Sequence, residues 1–209
     1  MNVIAIDGPA GAGKSTVARA VADRLGFTYL DTGAMYRCVG LASASDTAGA
    51  PGDIAERVTI ELGERVLLDG RDVTDEIRTA EASDAASRVA ADRAVREALV
   101  RKQRELVAEG DWVAEGRDIG TVVAPDAAVK VFLTADPEER ARRRARDLGQ
   151  PVEDVLEAQR ERDERDQTAD RATLEAPNDA TPVDTTGLTL DEVIDQVVTL
   201  AVEAKEIEA

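Results

Sequence analysis

Apolar positions recur along the chain in two alternating periods. Val3 to Ile6 is a short continuous apolar run and predicts a buried strand. Val17, Val21 and Leu25 then recur every four residues, predicting a helix with one buried stripe that Gly26 stops in a left-handed turn. Phe27 to Leu30 predicts a second strand, and Asp31-Thr32-Gly33 offers capping oxygens to a helix carrying Met35, Tyr36, Val39 and Leu41. Glycines and a proline between Asp46 and Asp53 break the pattern. Val58 to Leu62, Arg65 to Leu68 and Arg71 to Val73, joined through glycine-containing turns, predict a small antiparallel sheet.

Helical spacing returns at Thr74, first in an Ala-rich stretch through Val89, then in a stronger one carrying Val95, Leu99, Gln103 and Leu106 up to Gly110. Asp111 to Ala114 and Ala128 to Thr134 predict two further core strands. Pro137-Glu138-Glu139 opens a helix with acids where the macrodipole favours them, and Arg140, Arg142, Arg143, Arg144 and Arg146 follow. Gly149-Gln150-Pro151 separates it from a second charged helix with Arg160, Arg162 and Arg165. So little apolar surface predicts a weakly anchored helical pair, suited to a moving lid. Thr181 to Asp184 predicts a last strand and Leu190 to Ala204 a closing amphipathic helix. The expected fold class is α/β: a three-layer fold with a five-stranded, mostly parallel sheet, an insertion and a helical lid. As a single domain, 1–209, it divides into a core at about 1–45, 92–136 and 172–209, an insertion at about 46–91 and a lid at about 137–171.

Between the first strand and the first helix lies Gly8-Pro9-Ala10-Gly11-Ala12-Gly13-Lys14-Ser15, which fits the Gly-x4-Gly-Lys-Ser phosphate-loop signature in the strand-before, helix-after context that it requires. Its glycines let successive amides turn inward, and with the positive end of the following helix they make an anion site. Lys14 is placed for the β- and γ-phosphates of a nucleotide, and the Ser15 hydroxyl for the Mg²⁺ shell.

Charge narrows the partners. With 43 acidic residues against 26 basic ones the net charge is −17, which argues against nucleic acid and for a small ligand held by local arginines. Histidine is absent, which removes the commonest general base and the commonest zinc ligand. The single cysteine, Cys38, permits no internal disulfide and suits a reducing cytoplasm, and no apolar run approaches the roughly 18 residues of a membrane helix. A cytoplasmic protein is therefore expected, and the moving lid and the insertion make a monomer the expectation. Arg37, Arg96, Arg117 and the two lid clusters stand out, because guanidinium forks bind phosphate oxygens bidentately. Surface pairing with interleaved acids accounts for about half of the lid arginines. It accounts less well for Arg37 and Arg117, which sit at strand exits where α/β sheets place ligands.

The segments Gly8 to Thr16, Leu30-Asp31-Thr32-Gly33-Ala34-Met35-Tyr36-Arg37, Glu115-Gly116-Arg117-Asp118-Ile119-Gly120-Thr121 and Pro125-Asp126-Ala127 resemble bacterial-type cytidylate kinases. Glu76 to Thr79, Val95 to Leu99, Glu161 to Asp163 and Val183 to Thr186 extend the resemblance in the expected order over nearly the whole chain. The resemblance implies transfer of the ATP γ-phosphoryl group to CMP or dCMP, with the insertion binding the monophosphate. By similarity Gly8, Pro9, Ala10, Gly11, Ala12, Gly13, Lys14, Ser15 and Thr16 would hold ATP, and Arg140 and Arg144 would lie over its adenine and phosphates. Arg37 and Arg117, with Thr32 near them, would hold the acceptor phosphate; Ser87, Arg96 and Asp118 would read cytosine; Arg162 and Asp166 would contact ribose or phosphate. Lys14, Arg37, Arg117, Arg162 and Arg165 would carry the transfer, and Ser15 the metal. Departures from the family pattern are Ala169 where an arginine is usual, Ala172-Thr173-Leu174 without the usual proline, and Glu115 where Asp is frequent.

Two other readings stand beside this one. A small-metabolite kinase of shikimate or gluconate type would phosphorylate a hydroxyl and need a carboxylate base, for which Asp31 is available. A nucleotide-dependent switch would bind without turnover, although the Asn-Lys-x-Asp segment of guanine readers does not occur.

Overall fold

Strand β1 (Asn2–Asp7) is buried on both faces because its residues Val3, Ile4, Ala5 and Ile6 are all apolar, as a central parallel strand under two helical layers requires. It pairs in parallel with β6 (Asp111–Gly116) on one side and β7 (Val129–Thr134) on the other. β2 (Thr28–Asp31) and β8 (Thr181–Asp184) complete a five-stranded sheet in the order β2-β6-β1-β7-β8. The structure is a computed structural model that describes residues 2–168 and 176–208, with side chains for all of these except 2, 162, 165–168 and 205–208. Ala169 and Arg171, and the side chains of Arg162, Arg165 and Asp166, thus lie outside the described residues.

The chain forms two compact units, Met1–Leu30 with Val107–Ala209, and Asp31–Leu106. In the first, α1 (Lys14–Leu25) and α8 (Leu190–Glu208) bury Val17, Val21, Val193 and Val197 against Ile4, Val131 and Leu133 of the sheet. The stripe read from the four-residue spacing in α1 is the stripe that is buried. Gly26 ends α1 in the left-handed conformation expected of it. α6 (Pro137–Leu148) and α7 (Val152–Thr168) share a small apolar centre of Ala141, Ala145 and Val155, flanked by Leu148, Val152 and Leu156.

The second unit holds α2 (Thr32–Ser45), capped by the Asp31 carboxylate as expected, and the antiparallel sheet β3 (Ile60–Leu62), β4 (Val66–Leu68) and β5 (Arg71–Asp72). α4 (Ala80–Val89) and α5 (Arg93–Leu106) follow. α2 meets α4 closely at Gly40, where an added Cβ would sit 3.0 Å from the Ala85 backbone. One helix was not foreseen: α3 (Pro51–Arg57) occupies part of the stretch read as a break. Pro51 starts it and Ile54 and Ala55 are buried, but seven residues are too few for a periodicity to show.

Candidate active site

The loop from Gly8 to Gly13 leaves β1 in conformations that side chains resist. Gly8 has φ +147°, and a Cβ there would meet the Leu133 carbonyl at 2.0 Å, so only glycine fits where the loop crosses β7. Gly13 is left-handed at the start of α1, which leaves the first amides of that helix open to an anion. The loop's carbonyls are meanwhile held by side chains. Arg117 Nη1 donates to Gly8 O at 2.7 Å, Lys14 Nζ to Pro9 O at 2.8 Å, and Arg140 Nη1 to Ala10 O at 2.9 Å. Thr185 Oγ1 reaches Ala12 O at 3.5 Å.

Below the loop, the buried Asp7 carboxylate ends β1 and accepts from the amides of Ile119 and Gly120, both at 2.8 Å. Burial pushes its carboxyl above the ordinary range, while those two amides and the Lys14 and Arg117 cations act in the opposite direction. The segment it grips is a π-helical turn, Ile119–Val123, in which Val123 N donates to Asp118 O and Ala124 N to Ile119 O. Such turns re-aim the residues around them, and here those are Arg117 and Asp118 at the exit of β6. Beside them, Glu115 is buried, and its Oε1 accepts from Ser15 Oγ at 2.5 Å and from Tyr29 OH at 3.1 Å. The exposed Ser15 and Thr16 open α1.

The α6 arginines divide by role. Arg140 is buried and donates to Ala135 O, Ala10 O and Asp163 Oδ2. Arg143 bonds Glu139 and grips Thr185 through both its hydroxyl and its carbonyl, with Nη1 3.9 Å from the point where a Gly13 Cβ would lie. Arg144 is half-buried on the same helix. Arg142 pairs with Glu138 and Glu139 on an exposed face, the surface pairing expected for part of this cluster.

In the 31–106 unit the candidate residues sit on α2, α4 and α5. Asp31 Oδ1 caps α2 through Ala34 N, and Oδ2 accepts from Arg37 Nη2, both at 2.8 Å. Thr32 is buried at the start of α2. Among the described residues Arg37 Nε and Ser87 Oγ are buried without a hydrogen-bond partner, in a class of atoms that proteins seldom leave unsatisfied. Arg96 Nη1 donates to the carbonyls of Ala90 and Ala91 at the end of α4.

Asp7, Tyr29 and Thr185 are additions to the candidate residues, and Arg143 comes forward from the lid cluster. Asp7 had a signal, a charged residue closing an apolar run; the others bond across long stretches of sequence. Among the described residues no group of three or more carboxylate or thiol side chains is placed to hold a metal, and no helix is long and apolar enough to cross a membrane.

The chain is similar to known proteins in sequence and in fold. The family model for cytidylate kinase matches residues 4–203. A cytidylate kinase from Carboxydothermus hydrogenoformans is 48% identical over 206 residues, covering 91% of this chain and 93% of its own. A bifunctional pantoate ligase/cytidylate kinase from Synechococcus sp. (strain WH7803) is 50% identical over 210 residues; the match covers 92% of this chain and 43% of that longer relative. Among solved structures, a gluconokinase from Sinorhizobium meliloti superposes with a TM-score of 0.55, covering 99% of this chain and 95% of its own, at 18% identity, a likeness of fold alone. With the phosphate loop, the β6 exit and the family match all lying within 4–203, the chain belongs to the cytidylate kinase family.

Proposed function

We propose that this protein transfers the γ-phosphoryl group of ATP to CMP or dCMP, giving ADP and CDP or dCDP. The observation that carries the reading is the family match over 4–203. Gly8 to Thr16 take the ATP phosphates on loop amides and on Lys14, which leaves Pro9 O for them. Arg140 and Arg144 serve the donor side. By the family resemblance Thr32, Arg37, Ser87, Arg96, Arg117, Asp118, Arg162 and Asp166 serve CMP, and Arg165 and Arg162 add positive charge to the transfer. Arg37 Nε and Ser87 Oγ, buried without a partner among the described residues, support a polar ligand at those two side chains.

The chemistry needs positioning and charge more than a base. A monophosphate has its second pKa near ~6, so at neutral pH the attacking oxygen is already anionic, and a chain without histidine can present it. Lys14 and the arginines neutralise the charge on the transferring group, and closure of α6 and α7 excludes water that would otherwise accept it. The Ser15 hydroxyl and the Glu115 carboxylate behind it offer the hard oxygen donors that Mg²⁺ takes, and the carboxylate already accepts two hydroxyl bonds. Bound there with ATP, Mg²⁺ would offset charge on the β- and γ-phosphates. The rival hydroxyl-acceptor reading would take Asp31 as its base, a carboxylate that here caps α2 through Ala34 N and accepts from Arg37. We place the protein in the cytoplasm as a monomer.

ADP release coupled to a reporter, run with CMP, dCMP, UMP, AMP and shikimate, tests the reading. CMP and dCMP should stimulate release most. Stimulation by shikimate and none by CMP would reject it.

A further inference from the structure

The four carbonyl contacts of the phosphate loop have a directional consequence. In a trans peptide the C=O and the following N–H point in opposite directions, so a donor that draws the carbonyl outward aims the next amide inward. Arg140 does this at Ala10, and the amide it aims is that of Gly11, whose φ of +77° keeps it available to a glycine loop. Its reach is set from α7. Asp163 Oδ2 takes Arg140 Nη1 at 2.9 Å, and the Arg140 side chain is 9% exposed. Gln159, one turn earlier on α7, donates from Nε2 to Arg140 O, and that same nitrogen is 2.8 Å from the point where a Gly11 Cβ would lie. Two α7 side chains therefore meet the loop at the Ala10–Gly11 peptide, one through Arg140 and one directly.

We propose that Arg140, oriented by Asp163, is a positioning residue for the donor nucleotide: it acts through the Ala10 carbonyl to aim the Gly11 amide at the triphosphate. The proposal rests on the reading of the loop as the ATP site. It gives the α6–α7 pair a part in donor binding beyond covering the site, because moving α7 moves the carboxylate that holds Arg140.

Equilibrium binding of ATP and of CMP, each alone, separates the possibilities in wild type, Arg140→Met, Arg140→Lys and Asp163→Asn. Arg140→Met should weaken ATP about tenfold, the usual worth of a charged hydrogen bond, and leave CMP within about twofold. Arg140→Lys, which can still reach one carbonyl, should recover part of the loss. Asp163→Asn keeps the volume of a side chain that bonds only to Arg140 among the contacts given above, and should weaken ATP about threefold with CMP unchanged. ATP binding at wild-type strength or tighter in Asp163→Asn would overturn the proposal, as would equal loss of ATP and CMP in either variant. If circular dichroism shows Arg140→Met unfolded, Asp163→Asn decides by the same criteria. A wild-type protein that binds no ATP would reject the donor-site reading instead.

Discussion

Ser87 shows how a single side chain separates a structural role from a functional one. Its hydroxyl is buried on α4 with no partner among the described residues, a state that costs about 1–3 kcal/mol in a folded chain. Ser87→Ala should therefore leave the melting temperature unchanged or raise it, while the KM for CMP rises about fivefold to tenfold through loss of one hydrogen bond. Melting curves and CMP titrations of the two proteins check this, and an unchanged KM removes Ser87 from the site. At this scale the sequence made residue types and spacings legible: the phosphate loop, the Asp31 cap and the strand-exit arginines are local patterns. It did not reveal what those side chains bond. The Asp7 carboxylate closes on Ile119 and Gly120 more than a hundred residues away, and Arg143 on Thr185, pairings that only the sheet order brings about. Nor did it reveal that Arg140, expected on the donor side by similarity, donates to Ala135 O, Ala10 O and Asp163 Oδ2.

Among the elements, α6 and α7 hold together through a small apolar contact set inside an otherwise charged surface. Val155 is central to it, and Val155→Ala removes two buried methyls, worth about 2 kcal/mol with the cavity they leave. Because so few other apolar contacts back that helix, the loss should appear locally. Amide exchange should quicken in peptides covering 152–160, while β1 and β7 keep their protection. Uniform loss of protection across the sheet would contradict a separable lid. Long periodic elements such as α1, α5 and β7 were readable because each repeats its signal several times. α3, with seven residues, and the π-helical turn after Asp118 were not, since neither a short helix nor an i→i+5 turn leaves a period in the sequence.

At the scale of the whole molecule, the absence of histidine leaves acidic groups to govern the response to acid. Arg143 holds Glu139 below the ordinary carboxyl range, Arg57 does so for Asp46, Thr74 for Asp72, Lys130 for Asp179, Thr186 for Asp184 and Thr189 for Glu192. A lowered native pKa gives stability that is present above the unfolded values of 3.8 and 4.5 and is lost as pH falls through the native ones. Asp7, raised by burial, has the opposite sign: its contribution is present below 3.8 and is lost as pH rises through its native value. Below 3.8 the Asp7 contribution no longer changes, so the lowered carboxyls predict a melting temperature that falls as pH drops further; a flat profile from there down to about pH 3 would contradict these pairings. The function itself depends on the phosphoryl group moving from ATP to a second phosphate and not to water. The most direct measurement is a ³¹P NMR time course of the protein with ATP, Mg²⁺ and CMP. The CMP singlet should decline in step with the ATP γ-signal while the nucleoside diphosphate β-signal grows, as ADP and CDP form together; ADP and inorganic phosphate appearing with the CMP signal unchanged would contradict the account.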